Sequence, residues 1–403
     1  MMRFFRTKLC FLRPLAMIAF APSCVQTGAP DSSRSTGGTG NQINTSTRST
    51  GGTATDANLT GDAVTMAQGM GIGVNIGNTL ENTVAWETGW GQPLISQTYI
   101  NGMASHGIKT VRVPVAWDTY AVNGVIPADK MARVHQVVQW IIDSGMYAIV
   151  DIHWDRGWID NQGKVDSQGN SLQYQLTDDV RAKFASYWTQ ISAAFADVGD
   201  HLVLEAMNEE GVFRVGGTTS STPDYAPLNE LNQTFVNTVR DGGGANETRA
   251  LLISGFATDI GKTCVDAFAI PSDPAGAGKL FLSIHYYTPS TFCILAAPAS
   301  YGNPATTWGT PTEQATLQSL FSRLTVFSLA RNIPVIIGEF SVTRGSGQYV
   351  RESASRILWM TSVASAAFAG TMVPVVWDTG SDVNRSDGSL SSDFQTVMTQ
   401  LGQ

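Results

Sequence analysis

Beyond about residue 61 the chain alternates short, β-rich apolar runs with longer stretches whose apolar positions recur at helical spacing. The strand-like runs fall at residues 71–78, 110–117, 147–154 and 202–209, then at 250–256, 280–287, 334–340 and 373–379. Most are continuously apolar, the pattern of parallel strands covered on both faces. Amphipathic periods between them predict helices, among them 131–143, 179–195, 228–240 and 312–329. Stop signals such as Ser105-His106-Gly107 and Ser144-Gly145 precede the following strands. Eight strand–helix units in about 340 residues predict an α/β fold, a (β/α)8 TIM barrel with enlarged loops. A doubly wound sheet is the competing fold. Against it, the glycines of GIGVNIGN lie inside the first run and not in a turn opening a helix.

The segments before residue 61 differ in kind. Residues 1–24 carry Arg3, Arg6, Lys8 and Arg13 and no acid, then an apolar stretch ending in Ala21-Pro22-Ser23-Cys24. A basic, an apolar and a small-residue segment in that order predict an export signal. The final Ser-Cys resembles a bacterial lipobox and makes Cys24 a candidate membrane lipid anchor, although Pro22 and Arg13-Pro14 are unusual there. Of the 36 residues from 25 to 60, 20 are Gly, Ser or Thr and none is aromatic. Such a segment buries too little apolar surface to offset its ordering entropy and is expected to be a flexible linker. Residues 61–403 remain as one folded domain, expected to be secreted or held at a cell surface, and monomeric.

Composition narrows the classes. At 43% hydrophobic residues the chain supports a sizeable core. No uninterrupted apolar run reaches the about 18 residues of a membrane span. The net charge of −8 becomes −12, with 21 basic against 33 acidic residues, once the leader is removed. So acidic a domain is a poor phosphate-backbone binder, and no nucleic-acid partner is expected. Four cysteines exclude a disulfide-dense scaffold.

In a barrel of this kind catalytic residues gather at the C-terminal ends of strands. There the chain places Asn75 and Asn78, Arg112 and Trp117, His153 and Trp154, Asn208 and Glu209, His285 and Tyr287, Glu339, and Trp377 and Asp378. Glu209 and Glu339 are the glutamates that close predicted strands, the fourth and the seventh. Two carboxyls facing each other across a barrel mouth suit glycoside hydrolysis, one attacking the anomeric carbon and the other moving the proton. Arg112 can hold a carboxylate ionised, and Asn208 can donate to a sugar hydroxyl. His153 and His285 suit hydrogen bonding to carboxylates. HxH and HExxH are absent, so no metal is expected. Tyr287 can hydrogen-bond a nucleophile. Trp86, Trp90, Trp117, Trp154, Trp158, Trp308 and Trp377 lie at strand ends or in the loops that follow, where a sugar cleft needs flat aromatic faces. Trp377 is the strongest platform candidate, and Trp90 sits in a loop, WGQP, over the first strand.

These residues stand in motifs that resemble glycoside hydrolase family 5: GVNIGNTLE at 73–81, VRVPVAW at 111–117, VDIHW at 150–154, EAMNEE at 205–210, IHYYTP at 284–289, IIGEF at 336–340 and VVWDTG at 375–380. The resemblance spans about residues 61–400 and is closest to the cellulase-type endoglucanases of that family. It implies a retaining endo-β-1,4-glucanase acting on β-glucan, without metal or organic cofactor. On these motifs Glu209 matches the acid/base and Glu339 the nucleophile. Arg112, His153, Asn208, His285, Tyr287 and Trp377 match surrounding site positions. The chain departs where the family commonly has His-His (His153-Trp154), Asn-Glu-Pro (Asn208-Glu209-Glu210) and Trp-Asp-Asn-Gly (Trp377-Asp378-Thr379-Gly380). A β-mannanase, xyloglucanase or broad β-glucanase on the same barrel stays open, as does a catalytically silent glycan-binding protein. Cys264 and Cys293 follow the fifth and sixth strands on one face, and an oxidising compartment would permit a disulfide between them.

Overall fold

The computed structural model describes residue 59 and residues 61–161, 175–215 and 222–403. The predicted signal with Cys24, and the linker apart from Leu59, lie outside the described residues. Eight parallel strands close a barrel in sequence order: β1 (Gly73–Ile76), β2 (Thr110–Val113), β3 (Tyr147–Asp151), β4 (Leu202–Glu205), β5 (Leu251–Ser254), β6 (Leu280–His285), β7 (Val335–Phe340) and β8 (Val373–Asp378). Gly73 pairs with both Thr110 and Val375, which joins the last strand to the first. The predicted (β/α)8 TIM barrel is the fold observed.

The predicted helices form as α3 (Ala128–Asp143), α4 (Asp178–Ala194), α5 (Ala226–Asp241) and α8 (Pro311–Arg331), three with wider bounds and α4 shifted back by one residue. Their ends follow local chemistry. Thr177 accepts from the Val180 N–H, and Thr310 with Glu313 forms a reciprocal capping box. Asn332 stops α8 in a left-handed conformation. The outer helices α2 (Gln97–Ser105), α9 (Ser353–Ala369) and α10 (Ser392–Gln400) complete the jacket, with the single turns α6 (Ile260–Thr263) and α7 (Ser290–Cys293) in the loops after β5 and β6.

The barrel interior is layered. A lower layer of Ile149, Val203, Leu252, Phe281, Ile336 and Val373 is buried and closed from below by Ala63, Ala67 and Met70 of α1 (Asp62–Met70). Two positions further along several strands, the inward residue becomes polar: Asp151, Glu205 and Ser283, beside Asn75 and Arg112, all inaccessible to solvent. The outward residues of the same strands, such as Val111, Val150, Leu204 and Ile337, join the core beneath the helices. The strands read as unbroken apolar runs because the inner and outer apolar sets interleave.

The predicted strands overran at their C-terminal ends. Pairing of β4 stops at Glu205, so Glu209 does not close a strand but stands four residues beyond it, in a bend. His153 and Asn208 likewise follow their strands. The ladder breaks where side chains must turn towards the mouth. In β6–β7 the register shifts between Ile284 and His285, which places His285 opposite Glu339.

Candidate active site

Arg112 organises the site from the barrel axis. Its Nε donates to Glu205 at 2.6 Å, Nη1 to Glu339 at 2.9 Å and to Asn75 at 3.0 Å, and Nη2 to Asp151 at 2.8 Å and to Asn208 at 3.0 Å. A fully buried guanidinium is thus matched to three carboxylates. Burial opposes its charge, but Glu205, Asp151 and Glu339 outweigh burial and raise its pKa well above the ordinary arginine value. The carboxylates are fixed in turn: Ser283 donates to Glu205 at 2.7 Å and the Val115 N–H to Asp151 at 3.0 Å. The Asn75 amide donates to the carbonyls of Gly338 and Val376, which aims its oxygen at Arg112.

Above this hub stand the two glutamates. Glu339 accepts from Arg112 on one oxygen and from the Tyr287 hydroxyl, 2.9 Å away, on the other. Burial, then the Glu339 and Glu209 charges, push the Tyr287 phenol well above its ordinary value, so it stays a donor. Glu209 Oε1 lies 2.8 Å from His285 Nδ1, and that nitrogen is 3.7 Å from Glu339. Burial disfavours the Glu209 charge, but the hydrogen bond and charge of His285, with His153 and Arg112 behind, prevail and lower its pKa. One carboxylate oxygen from each glutamate and one His285 nitrogen fall within 4.8 Å of one another. The three could meet a single ion, yet their hydrogen bonds already run to one another, to Arg112 and to Tyr287. Gly338 packs closely beside them, since a Cβ there would stand 3.0 Å from His285 Nε2 and press on the ring.

His153 Nδ1 lies 2.8 Å from Asp151. Burial opposes protonation of the ring, but the Asp151 charge and hydrogen bond win and push it up to about 9. The cationic ring lies parallel to the Trp377 indole, with centroids 5.7 Å apart and planes inclined by 7°. Arg112, Asn75, Asn208, His153, His285, Tyr287, Trp377, Glu209 and Glu339 therefore converge, directly or through one partner. Trp90 stands apart as an exposed indole on the loop after β1, which Gln92 ties to the Thr379 carbonyl beyond β8. Trp117, Trp158 and Trp308 are buried core residues rather than platforms.

Asp151 and Glu205 stand inside the motifs VDIHW and EAMNEE, where sequence alone assigns them no role. Their signal was a charged residue at an inward position of an otherwise apolar strand. The expected Cys264–Cys293 disulfide is a correction, since both are free thiols. Cys293 is buried in the main core at the end of a short turn of helix, where Arg351 clamps the neighbouring Phe292 carbonyl. Cys264 is partly buried against the same core, its carbonyl held by Arg323 at 2.7 Å. Burial raises both thiols, Cys264 to about 11.

Glu210, where the resemblance leads one to expect proline, is buried away from solvent. Its Oε2 has no hydrogen-bond partner among the described residues. Burial first, then the Asp160, Asp151 and Glu209 charges, raise its pKa well above the ordinary value. The folded protein thus holds a proton that the unfolded chain releases. That contribution to stability is complete below the ordinary glutamate pKa and is lost as pH rises towards the folded value. Glu210→Gln removes this titration. Its melting temperature should gain on the wild type progressively from acidic to alkaline pH, by roughly 2–4 °C for each kcal/mol recovered. Identical pH dependence of melting in the two proteins would refute a buried neutral acid.

A family model described as cellulase, glycosyl hydrolase family 5, matches residues 69–382. Endoglucanase A of Paenibacillus barcinonensis is 32% identical over 356 residues, covering 82% of this chain and 86% of that protein. A xyloglucan-specific endo-beta-1,4-glucanase of Bacteroides ovatus is 30% identical over 335 residues, covering 77% and 64% respectively. Among solved structures, a broad-specificity endoglucanase from an uncultured bovine rumen ciliate superposes with a TM-score of 0.72 at 30% identity, covering 85% of this chain and 98% of that one.

Proposed function

This chain belongs to glycosyl hydrolase family 5 and is a glycoside hydrolase; from that premise we propose that it is an endo-β-1,4-glucanase cleaving internal bonds of β-glucans with retention of configuration. The observation that carries the reading is the pair Glu209 and Glu339, with oxygens within 4.8 Å, each held by a different set of donors. Retaining enzymes keep their carboxyls about 5–5.5 Å apart, and inverting ones roughly 6.5–9.5 Å to admit water. The approach of one oxygen from each to within 4.8 Å lies on the retaining side of that division and favours direct attack.

In the first step Glu339 attacks the anomeric carbon. Arg112 and Tyr287 occupy one lone pair on each of its oxygens and fix the direction of the others. The bond to the departing oxygen breaks as Glu209 delivers a proton to it. Water then enters and gives its proton to Glu209, and its oxygen displaces Glu339 from the anomeric carbon. Asn208, immobilised by Arg112, is placed to donate through its amide to the sugar beside the reacting carbon. The Trp377 indole offers an apolar face to the ring.

Because His285 favours the charged form of Glu209, the form that can donate a proton is populated on the acidic side. Reducing-sugar release should therefore appear on carboxymethylcellulose, lichenan and xyloglucan, and fall towards alkaline pH. Mannan and xylan should be cleaved weakly or not at all. Release from mannan alone, or from none of the five, would reject the reading. A xyloglucanase is the second reading, favoured by the Bacteroides ovatus relative, and xyloglucan outpacing the unbranched glucans would select it. The basic and apolar character of residues 1–24 supports export. The mass of the mature protein distinguishes a free N-terminus from acylated Cys24.

A further inference from the structure

Trp154 has no role in the reaction just described, yet the chain presents it with unusual care. Trp90 and Trp154 are the exposed tryptophans, at 39% and 38%, whereas Trp158, four residues further on, is 6% exposed. Trp154 directly follows His153, whose ring lies on Trp377. After it the chain reverses through consecutive left-handed residues: Asp155 (φ 41°), Arg156 (φ 63°) and Gly157 (φ 62°). The first two carry side chains, which that region disfavours.

Surrounding bonds hold this strained turn. The buried Asp155 carboxylate accepts from the N–H groups of Asp118 and Thr119 and from the Thr119 hydroxyl. The Arg156 guanidinium donates to the Thr83 carbonyl. The turn after β3 is thereby fastened to the loops following β1 and β2, with Trp154 at its head. A packing tryptophan would be covered, as Trp117 is in the neighbouring loop. Where the motif resemblance leads one to expect a second histidine, this chain instead offers a broad apolar face with one N–H.

We infer that Trp154 is a stacking platform for a pyranose ring of the bound glucan, so that it sets how firmly the cleft grips a long chain. A β-1,4-linked glucose presents its axial C–H bonds on flat faces, which an exposed, immobilised indole meets at little entropic cost. The inference rests on the reading of the protein as a β-glucan hydrolase.

Trp154→Ala and Trp154→Phe, made in the full chain, test it on cellohexaose and by affinity electrophoresis in xyloglucan-containing gels. The alanine variant should raise KM for cellohexaose up to about tenfold with kcat within about twofold, and lose retardation in the gel. The phenylalanine variant should recover most of both, with melting temperatures unchanged. Wild-type KM and retardation in the alanine variant would overturn the platform. So would a fall in kcat and melting temperature that phenylalanine does not restore, since that marks a structural role. If the wild type leaves cellohexaose intact, the hydrolase reading fails by itself. The gel still decides the platform, which stands if retardation depends on Trp154 and falls if it does not.

Discussion

Glu339→Gln should abolish glucan hydrolysis, lowering kcat by about four orders of magnitude or more, while leaving oligosaccharide binding and the fold in place. The substitution is nearly isosteric. The glutamine oxygen can still accept from Arg112, and the Tyr287 hydroxyl can turn to accept from the new amide. What disappears is the proposed nucleophile, and among the described residues no other carboxylate is placed to take over its attack. Glu205 and Asp151 are carboxylates of the same site, but both are fully buried and turned onto Arg112. Steady-state kinetics on a soluble β-glucan, with calorimetric binding of cellotetraose, separates the two effects. A rate within tenfold of wild type would remove Glu339 from the reaction.

The largest stability effect is expected at Arg112. Arg112→Ala leaves the carboxylates of Glu205, Asp151 and Glu339 without their common cation, two of them fully buried. Removing one partner of a buried ion pair costs about 3–5 kcal/mol, and here one side chain serves three. Arg112→Lys keeps the charge but not the planar fork that reaches five acceptors, and should fall between alanine and wild type. Acid should distinguish the variants further. Burial works against the Asp151 charge, but Arg112 and His153 outweigh it and hold the carboxyl low. Its contribution is therefore present above the ordinary aspartate pKa and lost as pH falls through the folded value. The alanine variant has forfeited the largest favourable part of that contribution, so its deficit in melting temperature should narrow in acid. A loss under about 1 kcal/mol at neutral pH, read from denaturant midpoints, would mean that the carboxylates do not depend on Arg112.

The barrel was legible because parallel strands covered on both faces leave unbroken apolar runs, and the polar residues that end those runs mark one face of the barrel. Glu209 and Glu339 stood out for the same reason. The inner polar layer was not legible. Asp151 and Glu205 lie on the barrel axis only because strand tilt and register bring them onto Arg112, and sequence spacing carries no trace of that convergence. Glu210 departs from the family motif next to Glu209, and its position in the sequence carries no sign of its burial. The backbone turns there, with the Glu210 carbonyl accepting from Ala257 and the next two N–H groups donating to Asp160, so its side chain goes inward. The two cysteines share a face in sequence order, yet both are free thiols, because sequence order does not fix the close side-chain approach that a disulfide needs. Among the tryptophans, position after a strand did not distinguish core from rim. Trp117 is anchored inside by its N–H on the Asp151 carbonyl, while Trp154 is turned out by three left-handed residues.

The most direct test of two carboxyls working by double displacement is the configuration of the first product. Proton NMR of cellohexaose hydrolysis, followed from the first minutes before mutarotation, should show the β-anomer of the new reducing end accumulating first. Initial appearance of the α-anomer would mean that water attacks the glucan directly, and that Glu339 is not the nucleophile.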